Sequence, residues 1–448
     1  MGKASDFSAK ERLFRLAESH ASLLAHIPAP LRIGRGYGRI KHLIRQSEAW
    51  SEDETAAWLL PRLQQLLAHA VADVPFYQWF YAQARYDVRS LRTLDDWSQV
   101  PVVTKQDLQK HALEQRCAKG VAGNPVNTGG TSGTPLAFLL EACATPVEWA
   151  HMHHIWSAHG YHVSQMKLRI GGTYFPHNAP FVYHPRHNEY IVNANCPMHE
   201  VAQAVLALSA SRPFRWVHGY PSLVAEFARE VAKCRDRLAY RFVAHLRGVL
   251  LGSEFPTPVY REAIAAYLTS NIVSWYGHSE MAILARETTE GTYQSLPTYG
   301  YAEAVASTDG QGERLVCTAL HNRVHPFIRY DTGDRVSTVS RLVASLSFRI
   351  EEGRVGDFVL DRSGRQLSLT SIIFGRHHGA FNEVLHLQVR QTIPGHITLL
   401  LVPQVTITDV ASLTVGFDFA GLDLTFDVEL VDQPVRTALG KLKLKVDV

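Results

Sequence analysis

Leu246 to Glu280 reads LRGVLLGSEFPTPVYREAIAAYLTSNIVSWYGHSE, two short apolar runs joined by a segment with helical spacing. Val249, Leu250 and Leu251 run into Gly252, Ser253 and Glu254; Ile272 and Val273 run through Trp275 into Tyr276, Gly277, His278, Ser279 and Glu280. A strand, a helical crossover and a second strand predict a parallel pair, and parallel α/β sheets bind ligands at the carboxyl ends of their strands. The fold class is therefore α/β, with both polar ends expected at one crevice.

Upstream, RWVHGYPSLVAEFAREVAKC (Arg215–Cys234) places an HGYPS turn before an amphipathic helix, with Ser222 near its start and Leu223, Phe227 and Val231 on one face. Further back lies NTGGTSGTPL, Asn127 to Leu136, a run of glycines and hydroxyl residues followed by an apolar stretch able to form a strand. Exposed amides and hydroxyls can converge on a polyphosphate, but the lysine of the common phosphate loop is absent and, taken alone, an ordinary hairpin turn is the somewhat commoner reading. PVVTKQDLQKH before it predicts a helix capped by Thr104 with Asp107 at its third position. The first 84 residues have helical spacing: Leu63, Leu66, Leu67 and Val71 share a face, Pro61 suits a first turn, Pro75 marks a stop, and Gly34–Arg39 reads as a loop. In VEWAHMHHIWSAHG (Val147–Gly160), His151, His153, His154 and His159 surround Trp149 and Trp156 without a metal-ligand pattern, which favours packing or a substrate pocket.

Downstream, GERLVCTALHNRVHPFIRYDTGDRV (Gly312–Val336) predicts a strand, a loop, a second strand and a charged turn holding Asp334, a residue suited either to ribose hydroxyls or to a capped surface turn. After Arg349 a charged, glycine-rich stretch reads as a linker. LHLQVRQ and HITLLLVPQ then flank a PG hairpin, LTFDVELVD follows, and VRTALGKLKLKVDV reads as a solvated basic tail.

The 448 residues exceed one ordinary core, and 46% hydrophobic with 19% charged residues describes a folded chain. Net charge of +3 from 45 basic and 42 acidic residues excludes a nucleic-acid surface as the main business. Cys117, Cys143, Cys196, Cys234 and Cys317 never stand as CxxC, so neither a disulfide framework nor a structural zinc site is expected. With no apolar signal core and no apolar run of spanning length, a cytoplasmic protein without membrane partners is expected.

In order, the glycine, serine and threonine loop, YGHSE, RYDTGD followed by GRVGD, and a terminal RTALGK resemble the adenylate-forming superfamily of acyl-coenzyme A synthetases and adenylation domains. VPFY, PVVTKQDL, HGYPS and LGSEF are similar to its branch of phenylacetate-coenzyme A ligases and capsular-polysaccharide ligase-like proteins. The resemblance implies a large amino-terminal adenylation domain of mixed sheets and helices, 1–352, and a small mobile α+β domain, 353–448, carrying the catalytic lysine. It implies ATP, Mg2+ and a carboxylic acid as reactants, and coenzyme A or an amine as acceptor. Thr128, Gly129, Gly130, Thr131, Ser132, Gly133 and Thr134 would hold phosphates, while Gly252, Ser253, Glu254, Tyr276, Gly277, His278 and Ser279 would bracket adenine. Asp334 matches the ribose aspartate, Arg354 the hinge arginine, Glu280 the magnesium ligand and Lys441 the catalytic lysine; Trp156, His154, His218 and Tyr220 would border the acyl pocket. Two departures stand out: Pro135 and Leu136 where the family loop often has a lysine, and a hinge reading GRVGD, with Gly356 at the first aspartate position and Asp357 kept. A nucleotide-binding scaffold, or a synthetase that leaves AMP on the acid, is the alternative.

Overall fold

The computed structural model describes residues 18–127, 136–171, 173, 179–193, 196–307, 312–352, 358–364, 366–369, 372–373, 380, 383–403, 410–419, 422–436 and 442–446. The chain forms two compact units: one from the residues up to Arg32, Trp156–Ser274 and the segment from Asp357 on, the other from Ile33–Ile155 and Trp275–Gly356. Among the described residues, no helix is long and apolar enough to cross a membrane.

Two strands, β1 (Asn124–Asn127) and β2 (Ala137–Leu140), pair antiparallel on either side of the glycine-rich loop. Phe138 is fully buried, which anchors the loop's exit.

In the first unit, β3 (Lys167–Ile170), β4 (Phe181–His184), β5 (Glu189–Val192), β6 (Trp216–Gly219) and β7 (Gly248–Leu251) lie in the order β7, β6, β3, β5, β4, and β7 is flanked by the first half of β8 (Ile272–Gly277). All these pairings are parallel except β4 with β5. Val249 and Leu251 face Val224, Phe227 and Val231 of the helix Pro221–Lys233 in one apolar cluster. Each such aliphatic side chain contributes about 1.5–3 kcal/mol when withdrawn from water. The crossover between β7 and β8 is the helix Pro258–Tyr267, capped by Thr257 and started by Pro258, so the expected strand, helix, strand order is present.

At the carboxyl end of the chain, β15 (Phe358–Leu360) and β16 (Gln366–Ser368) form a hairpin where the sequence reads as a linker. Next to it, β17 (Val384–Ile393) and β18 (His396–Pro403) make the PG hairpin, with Gly395 at φ +80°. Parallel edge strands flank that pair: β19 (Thr425–Leu430) along β18 and β20 (Lys445–Val446) along β17. Within the stretch that reads as a basic tail, Lys445–Val446 is thus an edge strand: β-pairing needs only its backbone, and Lys and other charges are the usual occupants of a sheet edge.

In the second unit, β8 continues into β9 (Leu284–Thr289), then β10 (Thr292–Ser295), β14 (Leu346–Glu352), β13 (Tyr330–Arg341), β12 (Glu313–Ala319) and β11 (Gly300–Ala306), all antiparallel neighbours. Its helical layer corrects two expectations. Pro61 lies inside the helix Glu52–Asp73, not in its first turn, because Ser51 starts the helix: its hydroxyl accepts from Glu54 N at 3.2 Å and Glu54 Oε2 accepts from Ser51 N at 2.8 Å. Pro75 opens the next helix, Pro75–Gln83, where its missing N–H costs nothing. Gly34–Arg39 is only half a loop, since Gly36 caps the helix Tyr37–Ser47. Thr104 and Asp107 form the expected reciprocal cap.

Candidate active site

In the first unit the loop after β7 is held at both faces of Glu254. Oε2 accepts from Ser222 N, in the first turn of the helix Pro221–Lys233, at 3.2 Å, and Oε1 accepts from Leu442 N at 2.7 Å. Leu442 directly follows Lys441, so Glu254 fixes the chain one residue beyond the candidate catalytic lysine. The other end of that segment is also tied down: Arg436 donates to Ser222 Oγ and Glu226 Oε2, both at 3.2 Å. His386 of β17 lies 3.6 Å from the same Glu226 carboxylate and joins Tyr260 at 3.4 Å. Burial would raise the Glu226 carboxyl, but the bond from His386 and the charges around it hold it below its ordinary value. Ser253 adopts φ +72°, a left-handed conformation that costs an ordinary residue about 1–2 kcal/mol and that a tight loop at a ligand site commonly stores.

In the same unit, Trp156 and His218 meet edge to face at 5.1 Å, and the Tyr220 ring lies over Gly171. Gly219 is obligatory: a Cβ there would fall 1.9 Å from the Ile170 carbonyl oxygen of the neighbouring strand. Burial pushes the His218 imidazole down to about 3, with Lys167 adding to the effect.

In the second unit the Tyr276 hydroxyl donates to Asp334 Oδ2. Phe348 meets the Tyr276 ring edge-on at 5.5 Å, which fixes the aromatic face. The DTGD stretch is not a surface turn. It runs within β13 beside a register shift against β12; Gly333 has φ +80° and donates to Asp331 Oδ1 at 3.0 Å, and Asp334 N donates to Thr332 Oγ1 at 3.2 Å. This irregularity turns Asp334, 5% exposed, toward Tyr276.

Glu280 is 3% exposed, and its Oε2 stands 3.2 Å from His278 Nδ1. Met281, next in sequence, has φ +54°, so the YGHSE loop also ends in a left-handed residue. Nearby, Tyr299 donates to Glu148, whose carboxyl burial pushes up; no motif singles out Glu148 in the sequence. A buried carboxylate is the hard oxygen donor that Mg2+ takes, and Glu280 fits that part.

The histidines of the Ala144–Ser157 helix are packing residues in the second unit. His151 bonds Val147 O at 2.9 Å and Thr298 Oγ1 at 3.0 Å, His153 meets Tyr37 Oη at 2.9 Å, and His154 pairs with Glu48 at 3.5 Å. His154 stands two residues from Trp156, a spacing that turns side chains away from one another on a helix. Thr128, Gly129, Gly130, Thr131, Ser132, Gly133, Thr134, Arg354, Gly356, Asp357 and Lys441 lie outside the described residues.

The structure has the fold of the adenylate-forming ligases. It is similar to 2-hydroxyisobutyryl-CoA ligase in the postadenylation state in complex with R3-HIB-AMP, with a TM-score of 0.64 and 17% identity over 88% of this chain and 90% of that one. It is also similar to an open conformation of that ligase in complex with 2-HIB-AMP and CoA, with a TM-score of 0.52 and 18% identity over 88% and 91% of the two chains. In sequence, the chain is 21% identical to Protein CapK of Staphylococcus aureus over 287 residues, 60% of this chain and 61% of CapK, so less than two thirds of that relative's length is matched. No family model matches the chain.

Proposed function

We propose that the chain is an ATP-dependent ligase that adenylates a carboxylic acid, releases pyrophosphate, and passes the acyl group to coenzyme A or an amine. The observation that carries this reading is the 2.7 Å bond from Leu442 N to Glu254 Oε1, because it ties the RTALGK segment to the loop after β7. Leu442, the residue after RTALGK, donates its backbone N–H to the side chain of the LGSEF loop, which supports reading the two stretches as parts of one site. We assign residues 353–448 as the small lysine-bearing domain and Gly356–Asp357 as its hinge; the five free cysteines agree with work in the cytoplasm.

The acid's carboxylate oxygen attacks the α-phosphorus, and the bond to the bridging oxygen of pyrophosphate breaks. Lys441 supplies a point charge to oxygens whose negative charge grows in that step, which only a positioned cation does without reorganisation. Thr128 to Thr134 offer amides and hydroxyls to the outgoing phosphates. We assign Tyr276, Gly277, His278 and Ser279, and likewise Gly252, Ser253 and Glu254, to adenine, and Asp334 to the ribose hydroxyls, from which it would accept. Glu280 would hold Mg2+, which supplies charge neutralisation on the phosphates when bound. Trp156, His218 and Tyr220 remain the residues we assign to the acyl side; His154, paired with Glu48 and turned away from Trp156, leaves that set. In the second step the acceptor nucleophile attacks the acyl carbon and AMP leaves.

A pyrophosphate-release screen over a panel of carboxylic acids, with ATP and Mg2+ and then with coenzyme A or amines, tests the proposal. Acid-dependent release supports it. Release without acyl transfer to any acceptor favours a synthetase that keeps AMP on its product, and no release with any acid favours a nucleotide-binding scaffold.

A further inference from the structure

A charge group at the β3, β5 and β6 strands has no part in the adenylation chemistry assigned above. Lys167 of β3 and Glu189 of β5 are register partners, both fully buried, with Nζ and Oε2 2.9 Å apart. The ammonium also donates to the His187 carbonyl at 3.0 Å. Arg169 stands two residues nearer the carboxyl end of β3, on the same face. Its Nε is 3.7 Å from Glu189 Oε1, and its side chain keeps 30% of its exposure. His218 of β6 is its register partner, and Arg169 Nη2 reaches Thr173 Oγ1 at 3.3 Å.

Two cations therefore share one carboxylate. The neighbouring histidines do not change that count at neutral pH: burial pushes His218 down to about 3, His187 to about 2, and His184 below its ordinary value. The surplus charge belongs to Arg169, since Lys167 and Glu189 have no exposure. An ion pair needs no second cation for stability, and a part-exposed guanidinium 3.7 Å from an already matched carboxylate gains little from it. An incoming anion changes that balance, because a guanidinium offers a planar fork of N–H donors suited to a carboxylate. The place is right for a ligand as well: Leu250, just before the Gly252–Glu254 loop, is the register partner of His218, so Arg169 lies two strand spacings away, on the order of 10 Å.

We propose that Arg169, with His218 and Tyr220 beside it, is a specificity subsite for the second carboxylate of a short dicarboxylic acid whose other carboxylate is adenylated. This rests on the ligase reading above. The test compares succinate, glutarate and adipate with their monomethyl esters, which match them in carbon chain but lack the second charge, in pyrophosphate release with ATP and Mg2+. For at least one length, kcat/KM should favour the diacid by about tenfold or more, as a charge-assisted contact requires. Arg169→Gln should cut that ratio by a similar factor and Arg169→Lys by less. A ratio taken within one preparation does not depend on the folded fraction. No preference in the wild type, or a ratio unchanged in Arg169→Gln, overturns the subsite. If no acid releases pyrophosphate, the ligase reading fails, and calorimetric titration of glutarate decides the subsite alone: saturable binding lost in Arg169→Gln supports it, whereas binding that persists in the variant or is absent from the wild type overturns it.

Discussion

The Glu254 carboxylate accepts one backbone N–H from Leu442 at 2.7 Å and another from Ser222 at 3.2 Å. A single side chain thereby joins a helix start to the segment that follows Lys441. Glu254→Ala removes both charge-assisted bonds, each worth about 1.5–3 kcal/mol. Acid-dependent pyrophosphate release should fall roughly ten- to hundredfold while nucleotide affinity, read by titration, changes less; equal losses in both would mean that Glu254 acts only through the nucleotide.

Asp334 is held against the Tyr276 hydroxyl inside β13, and its assigned partner is ribose. Asp334→Ala should raise the KM for ATP by roughly tenfold or more, the worth of hydrogen bonds to a charged acceptor, with a smaller effect on the KM for the acid. An unchanged ATP KM would remove Asp334 from the nucleotide site.

Gly219 has no room for a side chain, because an added Cβ would sit 1.9 Å from the Ile170 carbonyl oxygen. Gly219→Ala must part β6 from β3, and overpacking of this kind costs about 1–3 kcal/mol or more. Thermal unfolding should show a clear drop in Tm; an unshifted Tm would contradict the close strand contact.

Much of this arrangement was legible beforehand and some was not, for physical reasons. The β7 and β8 strands and their crossover follow from apolar runs and spacing, and Thr104 with Asp107 from local capping chemistry, because each depends on neighbours in sequence. Pro61 misled because the helix start is set ten residues earlier by Ser51, and a proline is tolerated within a helix that tertiary packing supports. DTGD read as a turn because a strand irregularity and a turn favour the same residues. Lys167, Arg169 and Glu189 are not legible as a group in the sequence: alternate charges in KLRI mark one strand face, but only the β3 to β5 pairing brings Glu189 to them. The tail hid an edge strand for the same reason, its partner being β17.

Acid should unfold the protein through its buried histidines. Burial pushes His151, His218 and His325 down to about 3. Below their ordinary value of 6.5 the unfolded chain binds protons that the folded chain refuses, so this contribution is complete above about pH 6.5 and is lost as pH falls toward 3. Each histidine adds about 1.4 kcal/mol per pH unit to the slope. His325 lies among Phe138 and Phe327, so His325→Phe should lessen the loss of stability between pH 6 and pH 4.5 by about 2 kcal/mol, measured by urea unfolding. An unaltered slope would mean that His325 takes up its proton in the folded state.

The most direct measurement of the central claim is acid-dependent pyrophosphate release by Lys441→Ala, with ATP binding followed in parallel. The ligase account predicts a loss of about a hundredfold or more in release, the worth of a positioned transition-state charge, with ATP binding largely kept. Undiminished release would contradict it.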